Sequence, residues 1–172
     1  HISNQLVKPN VNPRYISNYG YPTNGKNYAR GGVGLYSTAN DYLKFAEMLQ
    51  TGLSLKGEKI LSIEILKSAT QNQIPNSFIP YQIKNFDIKD LDENVFDPYG
   101  WGYGFRVYIK NSYFKNKGEF GWGGAASTYF LVDCKHKLSA VLMTQVFQGD
   151  PGLHKDFYNF ITSLIDLLEL PE

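Results

Sequence analysis

The chain has 172 residues, of which 42% are hydrophobic, and its formal net charge at pH 7 is +1. This size suits one globular domain or a large part of one. The near-neutral charge argues against a nucleic-acid partner, and no apolar run approaches the roughly 18 residues of a membrane span. His1, His136 and His154 are isolated and Cys134 is the single cysteine. The sequence therefore predicts no metal site, no internal disulfide and no cofactor.

The first part of the chain is predicted to hold an extended arm, two helices and a long loop. Residues 1–30 are broken by three prolines and form the arm. They lack a basic and an apolar leader, so no signal peptide is expected. Residues 31–98 form a helical and loop region. A helix is predicted over 39–50, capped by Thr38 with Asp41 and ended by Gly52. A short helix capped by Ser62 follows, and its apolar stripe consists of Ile65, Leu66 and Ala69. A surface loop is predicted over 75–98.

From Tyr99 onward the hydrophobic pattern changes to the period of a strand. The predicted strands cover residues 99–109, 113–114 with 119–122, 127–133, and 138–146, the last of them central and covered on both faces. Asp150 is predicted to cap a final helix that begins at Pro151. Its apolar stripe consists of Phe157, Phe160, Ile161, Leu164, Ile165 and Leu168. The sequence therefore predicts an α+β fold, with N-terminal helices and an antiparallel sheet over 99–172 on which a C-terminal helix packs.

The stretch from Gly118 to Ser127 is the candidate for chemistry. Gly123 and Gly124 remove side chains from a strand end, and Trp122 provides a wall beside it. Glycine at such a place often marks the close approach of a ligand or of another backbone segment. A strand edge of this kind can direct a backbone N–H toward a developing oxyanion. A glycine-rich hairpin packed under an aromatic ring accounts for the same residues without chemistry.

Several motifs in this chain occur in the same order in one known family. They are Gly-Gly-x-Gly-Leu-x-Ser-Thr-Ala-x-Asp-Tyr-x-x-Phe over 31–45, Ile60-Leu61-Ser62, Gly102-Tyr103-Gly104-Phe105, Phe120-Gly121-Trp122-Gly123-Gly124-Ala125, Thr128-Tyr129-Phe130 and Leu142-Met143-Thr144-Gln145. The chain resembles serine β-lactamase-like hydrolases, which include class C β-lactamases, family VIII carboxylesterases and D-Ala-D-Ala carboxypeptidase relatives. The resemblance implies a partial β-lactamase/transpeptidase-like fold.

The resemblance also implies roles for the glycine-rich stretch. Trp122, Gly123 and Gly124 stand where the family has a Lys-Thr-Gly motif on a strand. The N–H of Ala125 would then be one oxyanion donor, and the N–H of the nucleophilic serine would be the other. Trp122 replaces the cationic lysine of that motif, which implies substrates more like esters than β-lactams.

The two other motifs of the family, Ser-x-x-Lys and Tyr-x-Asn, have no matching counterpart here. The only Ser-x-x-Lys runs from Ser112 to Lys115 and falls in a predicted hairpin turn, whereas the family's serine starts a helix. Tyr-x-Asn does not occur. We therefore expect residues 1–172 to be the C-terminal part of a β-lactamase-like domain, which supplies the oxyanion-hole strand, lacks the nucleophile and is inactive alone.

Two classes of function stay open at this point. One is an acyl-transfer hydrolase, whose partners would be a missing N-terminal half and a small ester, β-lactam or peptide substrate. The other is a non-catalytic module of the same lineage that binds a ligand or a partner. Loss of the N-terminal half would uncover a sheet edge and apolar surface, so a homodimer or a swapped assembly is also open. Many relatives are exported, and the resemblance therefore points to a periplasmic or secreted protein.

Overall fold

The computed structural model describes residues 35–75, 99–111, 115–124, 126–146 and 151–168. In chain order the elements are α1 (Ala39–Thr51), α2 (Ile63–Ala69), β1 (Tyr99–Trp101), β2 (Arg106–Tyr108), β3 (Phe120–Gly123), β4 (Tyr129–Asp133), β5 (Leu138–Leu142) and α3 (Pro151–Leu168). These helices and the antiparallel sheet confirm the predicted α+β class. No helix in this part of the chain is long and apolar enough to cross a membrane.

Several predictions fall outside the described residues. They are the extended arm over 1–30, nearly all of the loop over 75–98, the strand segment 113–114, the helix cap at Asp150, and the roles considered for Ser112 and Ala125. The final helix begins at Pro151, as its sequence predicts.

The two early helices begin at the capping residues that the sequence predicts. The Thr38 hydroxyl accepts a hydrogen bond from the Asp41 N–H at 3.2 Å, and the Ser62 hydroxyl accepts one from the Ile65 N–H at 3.3 Å. Both bonds satisfy a backbone donor that the first turn of a helix leaves without a partner. Gly52 ends α1 in the left-handed conformation, with a φ of 77°. The predicted bounds of α1 and its caps are thus confirmed.

The single strand predicted over 99–109 is instead the β1–β2 hairpin. The chain reverses between the two strands, where the Gly102 N–H donates to the Phe105 carbonyl at 2.9 Å and Gly104 has a φ of +90°. Glycine takes such a φ at little cost. Tyr103 stands at the tip of the hairpin and is 63% exposed. The alternation of large and small residues continues through the turn, and the pattern therefore conceals it.

The five strands form a meander in sequence order, and each neighbouring pair is antiparallel. β4 is buried along its whole length. β5 is only half-buried, and β4 is the one described strand that pairs with it. The prediction of a central strand over 138–146 is therefore wrong: the strand ends at Leu142 and lies at the edge of the sheet that the described residues form. Its apolar composition reflects the helices α1 and α3, which flank it.

α1 and α2 pack on one face of the sheet. The buried residues of this cluster are Ala46, Leu49, Leu66, Val107, Phe120, Phe130 and Val132. The predicted stripe of α2 is wrong at Ile65, which is 56% exposed, because Leu66 alone turns into the core from this short helix. Burial of these side chains is the main favourable contribution to the stability of this half of the molecule.

α3 packs on the opposite face through Ile161 and Ile165, which contact Tyr129 and Leu131 of β4. Successive residues of a strand point to opposite faces, so β4 serves both clusters at once. The predicted stripe of α3 is wrong at Phe160, which is 61% exposed. Phe160 lines an open groove beside β5, where no described strand covers it.

Alanine at Gly52 is expected to destabilise the chain more than alanine at Gly57. Both residues have almost the same left-handed φ, 77° and 79°. A Cβ at residue 52 would lie 2.6 Å from the Leu61 carbonyl oxygen, whereas a Cβ at residue 57 would meet no atom within 4 Å. We expect Gly57→Ala to cost about 1 kcal/mol through its φ alone. Gly52→Ala should cost at least about 1 kcal/mol more, because the backbone must move. Equilibrium urea unfolding measures both changes, and equal losses would contradict this account of the α1 end.

Candidate functional site

The end of β3 has one paired edge and one open edge. On one side β4 pairs with β3 as far as Gly123. On the other side β2 pairs only with Phe120 and Gly121, since the chain leaves β2 for the hairpin turn beyond that point. Trp122 and Gly123 therefore have no partner strand on their second edge within the described residues. Backbone groups at such an edge are available to a ligand.

Beyond Gly123 the chain turns tightly into β4. The Gly124 N–H donates to the Thr128 carbonyl at 2.9 Å, and the Ser127 N–H donates to the Gly124 carbonyl at 3.0 Å. Ser127 is buried and has a φ of 58°. The Gly124 amide is thus occupied and is not a free oxyanion donor. Ala125 lies outside the described residues, and its assignment as a donor stays a prediction.

Hydrogen bonds with residues that follow β5 hold this turn in place. The Thr144 hydroxyl donates to the Ala126 carbonyl, and the Val146 N–H donates to the same carbonyl at 3.2 Å. The Ser127 hydroxyl donates to the Val146 carbonyl at 2.8 Å. The residues on both sides of Ala125 are therefore anchored, which is the preorganisation that a backbone donor needs.

Trp122 forms part of an aromatic group at the open end of β3. Its ring lies 4.7 Å from the Trp101 ring, centroid to centroid, in an edge-to-face arrangement, which is a favoured geometry for aromatic pairs. Trp122 is half-buried and also packs against the cluster under α1. Its indole therefore has a fixed position beside Gly123, as a wall would require.

Arg106 is the charged residue nearest to this aromatic group. Its guanidinium carbon lies 4.9 Å from the centre of the Tyr99 ring and 5.3 Å from that of the Trp122 ring. Nη1 lies 3.5 Å from the Tyr108 hydroxyl. Burial by itself would lower the pKa of Arg106, but the hydroxyls of Tyr108 and Tyr129 raise it overall. The guanidinium is thus a permanent cation at the base of the β3 edge.

Tyr129 and His154 lie on the far side of Gly123. Tyr129 is 7% exposed, and a Cβ added to Gly123 would approach its ring to 3.1 Å. The His154 ring lies 5.7 Å from the Tyr129 ring. Burial raises the pKa of Tyr129 well above its usual value. Burial lowers the pKa of His154, although a hydrogen bond to the Ser127 backbone partly opposes this. Both side chains are therefore neutral at pH values near 7.

Lys115, the lysine of the only Ser-x-x-Lys, is committed elsewhere. It is 4% exposed, and its Nζ lies 3.8 Å from Oε1 of Glu119, which is 2% exposed. The ammonium also lies against the Tyr158 ring. Ser112 lies outside the described residues. The ammonium of Lys115 is thus engaged with Glu119 and Tyr158. That Ser112 is not the nucleophile stays a prediction.

Cys134 and His136 lie with Asp133 at the turn between β4 and β5. Asp133 is buried and accepts hydrogen bonds from the Lys135 N–H at 2.9 Å and from Asn116 Nδ2 at 2.9 Å. His136 Nδ1 lies 2.6 Å from Oδ2 of Asp133, the oxygen that also accepts from Asn116. Cys134 is exposed beside them. No group of three His, Cys, Asp or Glu residues suited to a metal ion occurs in the described ranges.

In the described residues, an anchored turn thus follows a glycine-bearing strand end, one edge of which no described strand covers. The family model named Beta-lactamase matches residues 4–160. The chain therefore belongs to the β-lactamase family of serine hydrolases, and its sheet and helices form a partial fold of that family. No curated protein matches the chain.

Sequence reasoning found the glycine-rich edge but missed Arg106 as a residue of this region. The pattern assigned Arg106 to one side of a long strand. Its contacts with Tyr99 and Trp122 depend on the hairpin and on the register with β3, which the pattern did not reveal. The only available signal was a single cation within a strand of aromatic residues.

Thr144→Val should loosen the turn beside Ala125. The change keeps the shape of the side chain and removes its hydrogen bond to the Ala126 carbonyl, so we expect a loss of about 1 kcal/mol in unfolding free energy. Amide exchange at Ser127 should become faster. Thr51→Val is the matched control, because it removes a similar bond to a carbonyl at 3.0 Å but on an exposed helix end. It should change stability by less than about 0.5 kcal/mol. Equal effects of the two variants would contradict the anchoring role.

Cys134 should react slowly with iodoacetamide near neutral pH. Partial desolvation and then the Asp133 carboxylate raise the pKa of the thiol, and only the thiolate reacts. The midpoint of the rate against pH should therefore lie above that of N-acetylcysteine. Asp133→Asn should shift it downward, since the charge is removed. A midpoint at or below that of N-acetylcysteine would show that this description of the turn is wrong.

Proposed function

We propose that this chain is the C-terminal part of a serine hydrolase that cleaves esters or amides through an acyl-enzyme. The observation that carries the proposal is the open edge of β3 at Trp122 and Gly123 in a member of this family. The nucleophile is proposed to come from polypeptide outside these 172 residues. In support, the only Ser-x-x-Lys begins at Ser112, in a stretch whose sequence predicts a turn, and Lys115 is buried against Glu119.

In the proposed reaction the serine oxygen attacks the carbonyl carbon while its proton passes to a neighbouring base. The carbonyl oxygen becomes an oxyanion and is held by the N–H of Ala125 and by the N–H of the serine. The leaving alcohol or amine takes up the proton, and water then repeats these steps to release the acid. Ala125 is preferred to Gly124 as the donor, because the Gly124 amide is already bound to Thr128.

We further propose that esters are better substrates than β-lactams. The support is Trp122, which stands where relatives of the chain have a lysine in the strand motif. Its indole is packed edge-to-face against Trp101 and provides apolar surface without charge. An apolar wall favours the uncharged acyl or alkoxy group of an ester.

The open edge of β5 is the proposed contact for the remaining polypeptide of the hydrolase. An apolar groove beside it is lined by Leu43 of α1, Val141 of β5, and Phe157, Phe160 and Ile161 of α3. A strand added to β5 would satisfy its free backbone groups and cover these side chains. A second copy of this chain is the competing occupant. A dimer in gel filtration of the chain alone that persists after N-terminal extension would favour the second copy.

The chain alone should show no turnover of p-nitrophenyl acetate or nitrocefin, because it lacks the nucleophile. The same chain extended upstream to the start of its reading frame should hydrolyse p-nitrophenyl acetate. It should also be labelled by a serine-directed fluorophosphonate on a peptide outside residues 1–172. Burst kinetics in the short chain that vanish in Ser112→Ala would overturn the proposal. An extended protein without activity or labelling would favour a non-catalytic binding module of the same lineage.

Ala125→Pro tests the oxyanion donor in the extended protein. Proline has no N–H, so we expect kcat to fall about 100- to 1,000-fold with a small change in KM. Ala125→Gly is the matched control, because it keeps the N–H and should retain most of the activity. Circular dichroism and the melting temperature establish that both variants are folded. A folded Ala125→Pro variant with full activity would exclude the donor role.

A further inference from the structure

Arg106 is a half-buried cation that takes part in no ion pair among the described residues. The buried carboxylate of Glu119 is paired with Lys115. The neighbours of Arg106 include the rings of Tyr99 and Trp122 and the hydroxyl of Tyr108. Its Nε atom is buried and has no hydrogen-bond partner.

This setting leaves a strong donor unused. A guanidinium carries five N–H donors, and burying one of them without an acceptor costs free energy. Contacts with aromatic rings offset part of the cost of burying the charge. They provide no acceptor for Nε–H, which lies in the plane of the guanidinium rather than against its face. An anion that binds along this plane would supply both the acceptor and the opposite charge.

The position of Arg106 connects it with the open edge of β3. Arg106 is paired with Gly121, and Trp122 follows directly on β3. The same indole therefore contacts the guanidinium and forms the wall of the candidate site. Beyond Gly121 no described strand pairs with this edge next to the cation.

We propose that Arg106 binds the carboxylate of a small organic acid at the open end of β3, with the rings of Tyr99, Trp101 and Trp122 beside the apolar body of that acid. The inference rests on the proposed function, in which the acid is the carboxylate product of ester hydrolysis. The bidentate geometry of a carboxylate matches the guanidinium plane. The aromatic surroundings favour an aryl or alkyl acid over a hydrated inorganic anion.

Tryptophan fluorescence reports on this site directly. The chain has two tryptophans, and both Trp101 and Trp122 belong to the aromatic group beside Arg106. Titration of the 172-residue chain with phenylacetate at constant ionic strength should give a saturable change in emission. Phenylacetamide has the same shape without the charge, and we expect it to bind at least about tenfold more weakly. Sulfate at the same ionic strength should not compete with phenylacetate.

Arg106→Met keeps an unbranched apolar stem and removes the guanidinium with its charge. It should weaken phenylacetate binding by about tenfold or more and should leave phenylacetamide binding unchanged. Arg106→Lys keeps the charge but loses the planar fork, and it should bind with intermediate affinity. Lys110→Gln is the matched control, because it removes an exposed cation close by in sequence and should have no effect. Near-ultraviolet circular dichroism shows whether each variant is folded.

Three results would overturn the inference: equal binding of phenylacetate and phenylacetamide, unchanged binding in folded Arg106→Met, or equally strong competition by sulfate. If Arg106→Met does not fold, the comparison of Arg106→Lys with wild type decides the question.

The outcome is separable from that of the proposed function. Phenylacetate binding that depends on Arg106, without turnover in the extended protein, supports this site and rejects the hydrolase. Turnover in the extended protein without phenylacetate binding that depends on Arg106 supports the hydrolase and rejects this site.

Discussion

The register between β2 and β3 is the constraint on which this account depends. β2 pairs with β3 only at Phe120 and Gly121, because the β1–β2 hairpin turns away at its glycines. Two further residues of β3, Trp122 and Gly123, continue beside β4 alone. Two additional pairs with β2, at Trp122 and Gly123, would close this edge to a ligand. The open edge therefore results from a short hairpin and does not require a separate loop or lid.

A rigid support stands behind this edge. β4 is buried along its length between the cluster under α1 and α2 and the cluster under α3. The turn after β3 is tied to the chain beyond β5 through Ala126, Ser127, Thr144 and Val146. Sites that act through backbone donors gain from such support, because their dipoles need no reorganisation when charge develops. The fold thus places its rigidity where the proposed chemistry requires it.

The features that the sequence predicts well depend on local interactions. Thr38, Ser62 and Gly52 mark helix ends because each acts on a backbone group within one turn. The hairpin within 99–109 was missed, since alternation of side chains continues through its turn. β5 was predicted to be central because helices on its two faces demand apolar residues, whereas its open edge involves only the backbone. Arg106 was missed because its neighbours meet it only through the register of the sheet.

The structure of a covalent phosphonate complex of the N-terminally extended protein tests the central claim most directly. A phosphonyl oxygen then occupies the position of the oxyanion, and its distance to the Ala125 nitrogen can be measured. The account predicts a distance of about 2.7–3.1 Å, with the inhibitor lying along the open edge of β3. An Ala125 nitrogen that is bonded to a neighbouring strand, with the phosphonyl oxygen held elsewhere, would contradict it.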